Sequence, residues 1–125
     1  MLENVILTTG IYDMIKDHVR RKKVTKEEEE LLLAELKTAK QVLRRDLPNN
    51  VVTVNRRVRI MDHTNNKEQE YIFVPTTKTN PKKGKVSILC DVAVATVGRK
   101  EGDIINWPFK NGERKLEILK VEEFQ

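Results

Sequence analysis

The sequence predicts an α+β protein: a short N-terminal antiparallel helical hairpin, then a mostly antiparallel β-sheet domain with one short helix. Three observations carry this. Apolar residues recur every three or four positions up to residue 50, and largely every second position from residue 51 onward. The change of period falls at Leu47-Pro-Asn-Asn50, where proline bars its predecessor from the helical region and two asparagines favour a turn. A single helix-like run of small residues, Asp91–Val97, interrupts the alternating part. The chain therefore divides into 1–50 and 51–125, two parts expected to be separable in stability.

The first helix is read from Ile11, Met14, Ile15, His18 and Val19, which follow the i, i+3, i+4, i+7, i+8 spacing of one apolar face. Thr8 or Thr9 is its N-cap. A second helix is expected from about Lys26 to Arg45, with Leu32, Leu36, Ala39 and Leu43 as a coiled-coil-type seam. Thr25-Lys-Glu-Glu28 fits the capping-box pattern at its start. Each stripe alone would be exposed, so the two helices are expected to face each other as a hairpin turning near Lys23-Val24-Thr25.

Six strand-like runs follow: Val51–Val54, Val58–Met61, Tyr71–Val74, Val86–Leu89, Ile104–Trp107 and Leu116–Val121. Turn-rich segments separate several of them, at Asp62–Asn66, Thr79–Gly84 and Lys110–Gly112. Asn111-Gly112 signals a tight hairpin, because both residues accept the positive φ that such turns need. In the helix at 91–97, Asp91 is expected as the cap and Gly98 as the stop.

A chain of 125 residues buries one ordinary core, or a small core with a helical appendage. No apolar run is long enough to span a bilayer, and Met1-Leu-Glu-Asn4 lacks a secretory n-region, so no membrane is expected and the cytoplasm is the expected compartment. The lone Cys90 cannot form an intramolecular disulfide and reads as a small buried hydrophobe. Neither His18 nor His63 has a second ligand at metal spacing. No phosphate-cradle or nucleophile motif occurs, with Gly98, Gly102 and Gly112 reading as turn residues. No metal, cofactor or enzymatic activity is expected. The net charge of +5 divides into +1 for residues 1–50 and +4 for the remainder, and only six residues are aromatic. That charge permits weak or indirect nucleic-acid contact without diagnosing it.

The order strand Val86-Ser-Ile-Leu89, small-residue helix, Gly98-Arg-Lys-Glu-Gly-Asp103 and closing Leu116-Glu-Ile-Leu-Lys-Val121 resembles the C-terminal domain of the bacterial GreA/GreB transcription elongation factors. Leu7-Thr-Thr-Gly10 looks like the Leu-Thr-x-x-Gly that opens their helical hairpin. The passage from Glu35-Leu-Lys-Thr-Ala39 through Leu47–Val58 resembles the short-hairpin Rnk type within that group. The resemblance implies an FKBP-like β domain and RNA polymerase as the partner. It also implies docking at the rim of the polymerase secondary channel through the strand–helix junction, here Leu89, Cys90, Asp91 and Val92. The family usually has Ser-Pro where this chain has Cys90-Asp91.

The hairpin tip, Lys22, Lys23, Val24, Thr25, Lys26, Glu27, Glu28 and Glu30, is the second candidate contact. Gre factors hold magnesium with an Asp and a Glu three apart at this tip, and Glu27 and Glu30 share that spacing. First-turn carboxylates are also what the positive end of a helix selects, and Arg20-Arg-Lys-Lys23 suits the negative end of the preceding one. A first helix of about fourteen residues spans only roughly 21 Å, and the family's tip motif is absent. The expectation is a polymerase-binding regulator of elongation that competes with Gre-type factors without stimulating transcript cleavage. The alternatives are a basic nucleic-acid-binding module and a cleavage-stimulating factor using Glu27 and Glu30. Prolyl isomerase activity, which the FKBP-like fold raises, needs an aromatic-lined pocket that Tyr71, Phe73, Trp107, Phe109 and Phe124 can hardly both build and spare from the core.

Overall fold

The computed structural model describes residues 4–123. Phe124 and the start Met1-Leu-Glu lie outside the described residues. Strand β1 (Ile6–Thr8) leads into helix α1 (Thr9–Arg20), and helix α2 (Lys26–Thr38) is followed by strand β2 (Lys40–Val42). The remaining strands are β3 (Arg56–Asp62), β4 (Lys67–Val74), β5 (Lys85–Ser87), β6 (Ile104–Phe109) and β7 (Gly112–Glu123). Helix α3 (Asp91–Thr96) lies between β5 and β6. The main sheet has the order β5-β4-β3-β7-β6 and is antiparallel except at the β4–β5 edge.

Local signals at the helix starts act as expected. Thr8 Oγ1 accepts from the Ile11 amide, and Thr25 and Glu28 form a reciprocal capping box. Lys22 turns the chain between the helices with a φ of 59°. Gly112 takes a φ of 125° in the tight β6–β7 hairpin, where Phe109 faces Gly112.

Three expectations need correction. Helix α2 stops at Thr38, because the next residues pair in parallel with β1: Ile6 faces Lys40 and Thr8 faces Val42. Sheet pairing thus replaces the last helical turns, Leu32 and Leu36 stay buried in the seam, and Leu43 is left 55% exposed. Val51–Val54 is not a strand. Val51 makes one bridge to Lys100, Asn55 adopts a φ of 62°, and Val51, Val52 and Thr53 are buried as a plug. The buried Arg56 guanidinium donates to the carbonyls of Pro48 and Val51 and to the Glu123 carboxylate, fixing that plug to β3. Finally, Cys90 rather than Asp91 is the N-cap of α3, and Asp91 is its first residue.

The apolar core crosses the expected boundary at residue 50. Ile11, Ile15 and Val19 of α1 and Leu32 and Leu36 of α2 belong to one buried cluster with Ile105, Trp107, Leu116 and Ile118 of the sheet. Helix α3 is buried from Val92 through Thr96, and Val92, Ala93, Val94 and Ala95 belong to the same cluster. At its end Gly98 has a φ of 83°, and a Cβ there would lie 2.7 Å from Leu7 Cδ2 and 2.9 Å from Val5 Cβ. The N-terminal strand therefore packs directly on the helix stop of the β domain, and the hairpin lies against the sheet.

Candidate functional site

The two segments singled out in the sequence meet in space. A groove of about 410 Å³ is lined by Lys22, Lys23, Val24, Thr25 and Glu28 of the hairpin tip, by Asp91 at the start of α3, and by Lys110. A second hollow of about 260 Å³ is lined by Met14, Asp17, His18, Arg21, Lys23 and Leu89. Lys23 borders both, so tip and junction form one continuous surface. Local sequence gave no sign of this meeting, because Lys110 looks like any turn lysine.

Glu28 decides how the tip is held. Its side chain is buried, accepts from the Thr25 amide at 3.2 Å and accepts from Trp107 Nε1 at 2.8 Å. The indole N–H is inside the core and must find an acceptor, and the capping carboxylate of α2 supplies it. Glu28 is thus a tether between hairpin and sheet and is not presented at the tip. Lys22 Nζ is engaged by Glu29 at 2.8 Å. Lys26, Glu27 and Glu30 are exposed. Among the described residues no group of three or more His, Cys, Asp or Glu side chains is arranged to hold a metal ion.

At the junction, Asp91 is exposed and Leu89 and Cys90 are half-buried. Val92 is buried in the core, so it supports the junction from beneath. Ser87 Oγ accepts from the Leu89 amide and shares a hydrogen bond with Thr76 Oγ1, which fixes the chain just before the helix. Burial pushes the Cys90 thiol above its ordinary pKa, and Asp91 pushes the same way. A protonated thiol of this kind is a packing group and not a nucleophile. His18 is pushed below its usual pKa by burial and by Lys23.

Two other surfaces bear on function. Beside α3, Ile60, Asp62, Asn65, Lys67, Gln69, Tyr71, Val92, Arg114 and Leu116 enclose only about 50 Å³. That is several times smaller than an ordinary ligand pocket, so a prolyl side chain with its flanking peptide has no room. On the solvent-facing surface of the inner strands β3, β4 and β7, Arg57 pairs with Glu70 and Glu122, and Arg59 with Glu68 and Glu70. Cross-strand carboxylates neutralise these arginines, and the face carries no basic stripe.

Residues 47–123 match the family model described as transcription elongation factor, GreA/GreB, C-terminal. Transcription elongation factor GreA of Helicobacter hepaticus is 37% identical over 75 residues, covering 60% of this chain and 46% of that protein. The GreA of Clostridium botulinum is 36% identical over 86 residues, covering 69% and 54%. The chain spans about half the length of the curated relatives it matches. Its fold is similar to that of a solved prokaryotic transcription elongation factor GreA/GreB from Nitrosomonas europaea. That likeness has a TM-score of 0.66 at 24% identity, over 97% of this chain and 99% of that one. No helix among the described residues is long and apolar enough to cross a membrane.

Proposed function

The chain belongs to the GreA/GreB transcription elongation factor family, and from that premise we propose that it regulates elongation by binding RNA polymerase in the cytoplasm. It docks at the rim of the secondary channel through the surface formed by Asp91, Leu89 and the hairpin tip. There it competes with Gre-type factors and does not stimulate transcript cleavage, as the Rnk-type resemblance also implies.

One observation carries this reading: the Glu28–Trp107 hydrogen bond holds the hairpin tip against the β domain. Helices of 12 and 13 residues extend only about 18–20 Å, and their apolar faces are buried in the core shared with the sheet. A tip fastened in this way is poorly suited to carrying a metal ion into a buried catalytic centre. Glu27 and Glu30 flank the tether at the first turn of α2, where the helix dipole favours carboxylates.

The test is a pull-down with purified core RNA polymerase, followed by displacement with a full-length GreA. Binding that GreA displaces is expected. Backtracked elongation complexes given this protein and magnesium are expected to cleave at their intrinsic rate. Accelerated cleavage that disappears in a Glu27→Ala, Glu30→Ala variant would instead establish a cleavage factor.

A further inference from the structure

The excess positive charge of this protein is concentrated in one loop. Residues 71–90 contain four lysines, Lys78, Lys82, Lys83 and Lys85, and no carboxylate. The rest of residues 51–125 holds ten Lys/Arg and ten Asp/Glu, so the whole +4 of that part belongs to the loop. Arg20, Arg21, Lys22, Arg59, Arg114 and Lys120 are each paired with a carboxylate. Among the described residues, Lys78, Lys82 and Lys83 are exposed and take part in no ion pair.

The lysines stand on a well-tied frame. Thr76–Lys78 and Pro81–Lys83 are 3-10 turns. Asn80 and Lys85 exchange two backbone hydrogen bonds of 2.8 and 3.1 Å, and the Gly84 carbonyl accepts from the Ile72 amide of β4. The Thr76 and Ser87 hydroxyls meet at 2.7 Å, closing the loop across its base. Gly84 makes the last turn with a φ of 74°, a conformation that needs no Cβ.

We propose that the loop 76–85 contacts the phosphate backbone of nucleic acid, without reading its sequence. Lysine ammonium groups are point charges suited to single phosphates, and the exposed Thr77 and Thr79 hydroxyls add neutral donors. The loop has no arginine to grip a base edge and no aromatic ring on which a base could stack. An acidic protein surface fits less well. Protein interfaces are depleted of lysine and built around apolar or aromatic anchors, whereas the exposed large apolar side chains, Leu31, Leu33, Leu43 and Ile104, all lie on other elements. The contact is independent of polymerase docking, and its failure would leave that reading untouched.

Fluorescence anisotropy of the full chain with labelled single-stranded DNA and RNA tests this. Three lysine–phosphate contacts give a log–log salt slope of about −2, or roughly twentyfold weaker binding at 200 than at 50 mM salt. A Lys78→Gln, Lys82→Gln, Lys83→Gln variant should lose about tenfold or more at low salt and flatten the slope. A control variant, Lys16→Gln, Lys37→Gln, Lys40→Gln, removes the same charge from the helical part and should bind like the wild type. Equal loss in both variants, absence of wild-type binding, or displacement by polyglutamate as effective as by oligonucleotide of equal charge would each overturn the proposal. Should the triple variant fail to fold, single reversals Lys78→Glu, Lys82→Glu and Lys83→Glu replace it. Unchanged binding in all three would be equally fatal.

Discussion

Glu28 accepts a hydrogen bond from Trp107 Nε1 at 2.8 Å, joining residues 79 positions apart in the chain. The same carboxylate accepts from the Thr25 amide, so one side chain both starts α2 and fastens it to β6. Helix capping is a local matter, but here its carboxylate also satisfies the chain's single indole, which is buried in the core.

Glu28→Ala is expected to lower stability by about 2–3 kcal/mol, since it removes half of the capping box and strands a buried N–H donor. Glu27→Ala and Glu30→Ala, both at exposed positions, should stay within about 0.5 kcal/mol. Urea unfolding followed by Trp107 fluorescence checks this. Equal effects at all three positions would mean that the tether carries no special weight.

The shared core predicts one cooperative unit. In the intact protein, amides of α2 around Leu32 and Leu36 should exchange hydrogen as slowly as those of β3 and β7, because all pack in one cluster. Residues 51–125 alone should melt well below the intact chain, as Ile105, Trp107 and the α3 surface would lose their helical cover. Fast exchange confined to α1 and α2 would restore a division of stability at residue 50.

Gly98→Ala should cost at least about 2 kcal/mol, from the left-handed backbone at a φ of 83° and from the close approach of Leu7 and Val5. Thermal melting measures it. Gly102→Ala shares the positive φ but meets nothing within 4 Å, so it should cost less. A reversed order would remove the packing of β1 on α3 as the cause.

Asp62 predicts a pH dependence. Burial alone would raise its pKa, but Arg114 and the amides of Asn65 and Thr64 outweigh this and hold the carboxyl below its ordinary 3.8. A depressed carboxylate stabilises the fold above the unfolded value and loses that contribution as pH falls through the folded one. Asp62→Asn should therefore melt lower than the wild type at pH 7, by about 1 kcal/mol. The gap should close as pH drops below 3.8. A gap independent of pH would assign the effect to shape and not to charge.

Asp91→Arg tests docking. The residue is exposed, its Oδ1 accepts from the neighbouring Val92 amide at 2.8 Å, and it lines the groove with Lys22, Lys23 and Lys110. Reversing its charge removes that bond and should cost no more than about 1 kcal/mol of stability, while weakening capture of core RNA polymerase several-fold under conditions where both variants are folded. Undiminished capture would remove the strand–helix junction from the interface.

Much of this protein was legible locally. The capping box at Thr25, the tight turn at Asn111-Gly112 and the glycine stop at Gly98 are written within a few residues of where they act. They appear because a cap or a turn is settled by neighbouring hydrogen bonds and allowed φ angles. The change of hydrophobic period likewise located the sheet, and the family resemblance was carried by the residues at 86–121 themselves. Only the tertiary structure decided the end of α2, the plug at Val51–Thr53 and the role of Glu28. Lys40–Val42 could continue a helix or pair with a strand, and the outcome rested on Ile6–Thr8 lying alongside. Glu28 looked like one of four equivalent carboxylates until Trp107 supplied a buried donor that only one of them could reach. Partners distant in sequence leave no periodicity in either segment, so burial and pairing, known only once the chain is folded, made those choices.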